Sequence, residues 1–131
     1  MVDLKIIQDI LAQAKQEGWG FPKQFDALKA AGVTHYEVRV SEHDITYFGI
    51  EGRWTLPKTS GWATLPVASK LHREQFVTAL RRAQRKEIDY STFLKEIAAA
   101  GCSFYRVDMA SRTVIYKDDH GAEVVEPVPQ P

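Results

Sequence analysis

Cysteine is almost absent from this chain. Cys102 stands alone, so no disulfide can close within the molecule and a packed core has to hold it together. Net charge is absent too, because seventeen Lys and Arg balance seventeen Asp and Glu. No bulk field therefore recruits nucleic acid or anionic lipid, and any such binding must be local. No apolar run reaches membrane length and no secretory hydrophobic region follows Met1, Val2 and Asp3, so the sequence reads as that of a cytoplasmic protein in a reducing compartment. Also missing are a G-x-S-x-G elbow, a phosphate-binding glycine loop and any paired-cysteine motif, which leaves nucleophilic and phosphoryl-transfer chemistry without support. What is present is 131 residues, 44% of them hydrophobic and 26% charged. That suits one globular domain, residues 1–131, with a core large enough to need no covalent staple.

The chain contains an internal repeat. The segment from Ala30 to Val40 superposes on that from Ala99 to Met109 at a shift of 69 positions, and seven of the 23 positions from Ala30 to Gly52 are identical at that shift. Average residue usage would give about one or two. The identities include Gly32 with Gly101, Tyr36 with Tyr105, Tyr47 with Tyr116 and Gly52 with Gly121; Phe21 with Tyr90 and Leu11 with Leu80 extend the match upstream. The reading is repeat one at 2–58, a linker at 59–69, repeat two at 70–127 and a frayed or extended tail at 128–131.

Each repeat opens with two helices. Leu4, Ile7, Leu11 and Ala14 recur at helical spacing, as do Phe76, Leu80 and Ala83, predicting helices over Val2 to Gln16 and Leu71 to Lys86, with Asp3 and Ser69 as caps. Second helices, one beginning near Pro22, run to Gly32 and Gly101, where glycine takes the left-handed cap conformation without steric cost. Tyr36, Val38 and Val40 then alternate with His35, Glu37 and Arg39, as Tyr105, Val107 and Met109 do with Phe104, Arg106 and Asp108. That period belongs to strands with one wet face. Polar turns lead to Ile45 to Ile50 and Thr113 to Lys117, and third strands at Arg53 to Leu56 and Glu123 to Val125 end at Pro57 and Pro127. The fold class is α+β: a duplicated ααβββ unit whose helices cover the Tyr and Val face of two antiparallel meanders. If the first strands of the repeats pair antiparallel, an axis centred on Glu37 and Arg106 sets those residues opposite each other, His35 opposite Asp108 and Arg39 opposite Phe104. Moving the axis one residue creates two like-charge contacts, at a cost on the order of a few tenths of a kcal/mol each.

The pattern as a whole, from Phe21-Pro22 through Val40, in the run Ile97 to Cys102 and at Glu126-Pro127, resembles an uncharacterised bacterial family that includes YbcV-like and YdfO-like prophage proteins, often labelled phage envelope protein. The resemblance implies a small α+β domain and supplies no reaction or catalytic residues.

Candidate sites are few. His35, His43, His72 and His120 show no metal-ligand spacing, so neither a metal nor a cofactor is expected. Cys102 aligns with Val33 in the repeat and reads as a small buried side chain rather than a nucleophile. The third helix gathers Lys70, Arg73, Arg81, Arg82, Arg85 and Lys86 against Glu74. The functional reading of Arg81, Arg82, Arg85 and Lys86 is a phosphate-docking patch; the structural one is cations complementing a helix C-terminus. Trp54 and Trp62 have no aromatic counterparts in the second copy and, with Tyr47 and Tyr116, form the candidate ligand-binding set, against a reading in which they fill the seam between the copies. The leading function is a small non-enzymatic binding or interaction protein of prophage type, with a protein partner or homodimer as its partner class. A pocket enzyme and a nucleic-acid accessory protein are the alternatives.

Overall fold

The computed structural model describes residues 2–56 and 61–130. Pro57, expected to end the third strand, and the neighbouring residues Lys58, Thr59 and Ser60 lie outside them. The first half contains α1 (Leu4–Glu17), α2 (Phe21–Ala31), β1 (Val33–Arg39), β2 (Asp44–Gly49) and β3 (Gly52–Leu56). The second contains α3 (Arg73–Gln84), α4 (Tyr90–Ala99), β4 (Phe104–Asp108), β5 (Thr113–Lys117) and β6 (Glu123–Pro127). The order ααβββ thus occurs twice. All six strands join one antiparallel sheet in the order β3-β2-β1-β4-β5-β6.

The two meanders meet along β1 and β4 in the register that charge favours. Glu37 faces Arg106, His35 faces Asp108 and Arg39 faces Phe104. Arg106 lies 3.8 Å from the Glu37 carboxylate and 3.6 Å from that of Asp108. Because side chains alternate across a strand, this register also sets every apolar partner on the other face. There Tyr36, Val38, Tyr105 and Val107 are buried beneath the helices, together with Tyr47 and Tyr116 from the flanking strands. Phe25 and Leu28 of α2, Phe76 of α3 and Leu94 and Ile97 of α4 are wholly buried and complete the core.

Local chemistry explains the helix ends. Asp3 accepts a hydrogen bond from the Ile6 amide at 2.9 Å, and Asp89 accepts one from Thr92 at 2.8 Å, each satisfying a donor the first helical turn leaves free. Ser69 does not cap α3. The residues before that helix are committed elsewhere: the amide of Ala68 bonds to the Ala98 carbonyl, that of Leu71 to the Asp118 carboxylate and that of His72 to the Ala100 carbonyl. Extended backbone therefore continues to His72, and α3 begins at Arg73 without a side-chain cap. Nor is the tail frayed at its start. Val128 is buried, its amide donates to the Arg112 carbonyl, and its own carbonyl accepts from Arg112 Nε at 3.0 Å.

Asp118 ties the linker to the last hairpin. One oxygen accepts the amides of His120 and Ala122 while the other accepts Leu71, and the bond from Leu71 leads in holding the carboxyl below its ordinary value of 3.8. A carboxyl whose pKa is lowered on folding stabilises fully above its ordinary value, and the contribution is lost as pH falls through the lowered one. Asp118→Asn should therefore reduce stability at neutral pH and flatten the acid side of the stability profile, read by urea denaturation between pH 2.5 and 7. Gly101 supplies a second prediction. It holds φ +96°, and a Cβ there would collide with the Lys70 carbonyl, whereas Gly121 at φ +91° has open space around it. Gly121→Ala should cost about 1 kcal/mol of left-handed strain. Gly101→Ala should cost distinctly more, because the linker backbone must move as well.

Candidate ligand-binding groove

The chain has five tyrosines, and the fold brings all of them to the helix side of the sheet. Tyr36 and Tyr47 are cross-strand partners with ring centroids 5.0 Å apart; Tyr105 and Tyr116 repeat the arrangement at 5.3 Å. Tyr90, the first residue of α4, reaches down so that its hydroxyl lies 2.7 Å from that of Tyr105. On its other side the Tyr90 hydroxyl is 3.0 Å from His43 Nε2. His43 stacks on Trp62 at 5.0 Å, and the Trp62 indole donates to the Ser41 carbonyl at 3.1 Å.

A groove of about 740 Å³ opens above the second tyrosine pair. Leu80 and Ala83 of α3 and Phe93 of α4 wall it, Phe21 and Pro22 at the start of α2 face it, and Tyr105 and Tyr116 are among its deepest lining residues. Phe21 and Tyr90 keep 39% and 48% of their surfaces exposed, which places a ring from each helical pair at the mouth. The tyrosine layer beneath the helices has one feature that packing does not account for. Among the described residues none hydrogen-bonds the hydroxyls of Tyr36, Tyr47 or Tyr116, although each ring is more than nine-tenths buried. Among the described residues no unpaired side-chain polar atom is sealed from solvent, so these hydroxyls keep access to open space, and Tyr116 lines the groove.

Burial sets the electrostatics. It pushes the phenols of Tyr36, Tyr47, Tyr105 and Tyr116 well above their ordinary acidity range and that of Tyr90 up to about 12. It lowers the pKa of His43, which disfavours its cation. At neutral pH the floor consequently offers neutral hydroxyls, able to donate and accept, and no phenolate to act as a base. Cys102 is buried and does not line the groove, although it lies near enough to Tyr116 to act on it electrostatically; burial pushes its thiol up to about 12. Among the described residues no three His, Cys, Asp or Glu side chains are grouped to hold a metal ion.

A second cleft, of about 690 Å³, lies on the opposite sheet face against Leu65 and Val67. Three of its four charged walls are engaged, since Arg39 binds Asp44 through two hydrogen bonds of 2.9 and 2.6 Å and Glu37 faces Arg106, while Asp119 has no side-chain partner among the described residues. The tyrosine groove combines mostly apolar walls with a free phenolic hydroxyl, whereas this cleft is the more polar of the two, which makes the groove the candidate site.

Of the residues singled out by sequence, Tyr116 lines the groove. Tyr47 lies beside Tyr36 and opposite Trp54, which packs over Gly49 in the first half. Trp62 sits at the His43 end of the hydroxyl chain. The basic residues resolve into ion pairs: Arg81 with Glu126, Arg82 with Glu96 and Arg85 with Glu87. Lys86 has no side-chain partner among the described residues and sits at the groove, as does Arg81. Sequence reasoning missed Tyr90 and Tyr105, because residues shared by two copies read as fold-holding. It also missed that His43 and Arg112, equivalent in the repeat, both adopt positive φ and reach into the opposite half. Arg112 binds Asp26 of α2 at 2.7 Å, as His43 binds Tyr90 of α4.

Tyr116→Phe removes a hydroxyl that holds nothing, so stability should stay within about 0.5 kcal/mol of the parent. Tyr105→Phe breaks the bond to Tyr90 and should cost about 1 kcal/mol. Chemical denaturation of both variants checks the contrast.

Among families of known sequence, the model for proteins of unknown function named DUF1398 matches residues 8–126. No curated protein matches the chain.

Proposed function

We propose that this chain, which belongs to the DUF1398 family of proteins of unknown function, is a non-enzymatic binding protein that takes a small molecule into the tyrosine groove. The observation that carries the reading is Tyr116: 7% exposed, without a hydrogen-bond partner among the described residues, and lining open space of about 740 Å³. Its hydroxyl keeps access to that open space, where a ligand or water can take up its free hydrogen-bonding capacity. The volume falls in the range of about 300–1,000 Å³ usual for small-molecule sites, and its mostly apolar walls with a few convergent polar groups have the usual composition of such sites. Binding is favoured over catalysis because the phenols and the buried Cys102 thiol all stay protonated at neutral pH. The prophage setting and a cytoplasmic location are part of the proposal, the first supported by the sequence resemblance and the second by the single unpaired cysteine. Among the described residues no helix is long and apolar enough to cross a membrane.

Docking on nucleic acid through the α3 patch is the weaker reading, since three of its four candidate cations already face carboxylates. The neutral dye N-phenyl-1-naphthylamine tests the groove. The parent should bind it with a fluorescence increase, and Ala83→Trp, which fills the groove from α3, should lose most of that signal. Phe21→Ser at the exposed mouth should weaken it several-fold with the fold intact by circular dichroism. A parent that takes up no dye, or a signal untouched by both substitutions, would overturn the groove as the binding site.

A further inference from the structure

We infer that the ligand of this groove is an aromatic monoanion, with its ring system between the aromatic walls and its carboxylate or equivalent acid at Lys86. The inference rests on the groove being the binding site and adds the class of ligand. Three observations support it, the first being charge. The charged residues lining the groove are Arg81, Lys86 and Glu126. Arg81 holds both oxygens of Glu126 at 3.0 and 3.2 Å, so that pair cancels and Lys86 remains the uncompensated charge at the groove. The other arginines of the patch, Arg82 and Arg85, are each spent on a glutamate. The cationic run that first suggests a phosphate-docking surface therefore reduces to one available ammonium, and it stands beside the cavity. One cation in a mostly apolar site matches one anionic group; a diphosphate or a nucleic-acid backbone would need several.

The backbone at that point is the second observation. Lys86 follows the end of α3 with φ +60°, a left-handed conformation that costs a non-glycine residue strain and that Gly or Asn adopts far more easily. A lysine there is not what the turn itself selects.

The third is the character of the walls. Phe21, Tyr90, Phe93, Tyr105 and Tyr116 contribute five rings to one groove, two of them exposed at its mouth on different helical pairs. Rings pack on rings with edge-to-face and offset geometries that an aliphatic chain cannot use, so a planar ligand gains more here than a fatty acid of the same area. At the far end the free Tyr116 hydroxyl can bond a polar ring substituent.

Calorimetric titration of the full chain with 2-naphthoate at pH 7 tests the inference, with the neutral ketone 2-acetonaphthone and the aliphatic acid decanoate as comparisons. Lys86 is exposed, and one ion pair with an exposed ammonium is worth about a two- to fivefold change in affinity. Naphthoate should therefore bind about two- to fivefold more tightly than the ketone and weaken as salt is raised. Lys86→Gln should abolish that margin and leave the ketone unaffected, whereas Arg85→Gln should change neither. Lys86 holds nothing in place through its side chain, so its substitution tests charge rather than folding. Equal affinity for naphthoate and the ketone, or a margin that survives Lys86→Gln, would overturn the assignment of the anion. Decanoate binding as tightly as naphthoate would overturn the aromatic part. Uptake of N-phenyl-1-naphthylamine with no binding of naphthoate would overturn the aromatic anion while the groove stands; failure of the dye as well would bring down the groove reading itself.

Discussion

The pairing of β1 with β4 is the constraint on which the other features depend. It joins segments far apart in sequence, and its register is set on one face by Glu37 and Arg106 and on the other by tyrosine and valine. A slip of one residue would bring like charges together and also turn the whole apolar set outward. Because the central strands run antiparallel, the turn after each half's first strand comes to lie beside the helices of the opposite half. That is why His43 meets Tyr90 and Arg112 meets Asp26, two side chains at equivalent places in the repeat making different bonds across the same seam.

The architecture was largely legible because the chain states it twice. Helix periodicity, the glycine stops and the alternating strands could each be read against a second copy, and charge alone selected the central register. What escaped was set by tertiary context. Nothing local shows that the Leu71 amide belongs to Asp118, which is what delays α3 beyond Ser69. Likewise nothing around Val128 shows that Arg112, turned by its positive φ, would fasten the tail.

The candidate site was less legible, and for a related reason. Sequence asymmetry drew attention to Trp54 and Trp62, one of which packs within the first half while the other supports His43. The residues that shape the groove are instead mostly ones that both copies keep as aromatic, namely Phe21 with Tyr90 and Tyr105 with its counterpart Tyr36. Their role comes from what surrounds each copy: Tyr105 has Tyr90 above it, whereas the first half offers a phenylalanine in the equivalent place, with no hydroxyl to close the same bond. A shared residue can hold the fold in one half and border a cavity in the other.

The groove is assembled from chain segments that span Gly20 to Pro129. Phe21 on one side of its mouth is made early in synthesis and the wall at Pro127 and Pro129 last, and between them the sheet must close a connection of long sequence separation, an ordering that slows folding. During translation α1, α2 and the first meander emerge with no partner strand beside β1. The molecule therefore acquires the cavity in one late step, when the second meander docks, so that a truncated chain would lack the groove rather than carry a weaker version of it.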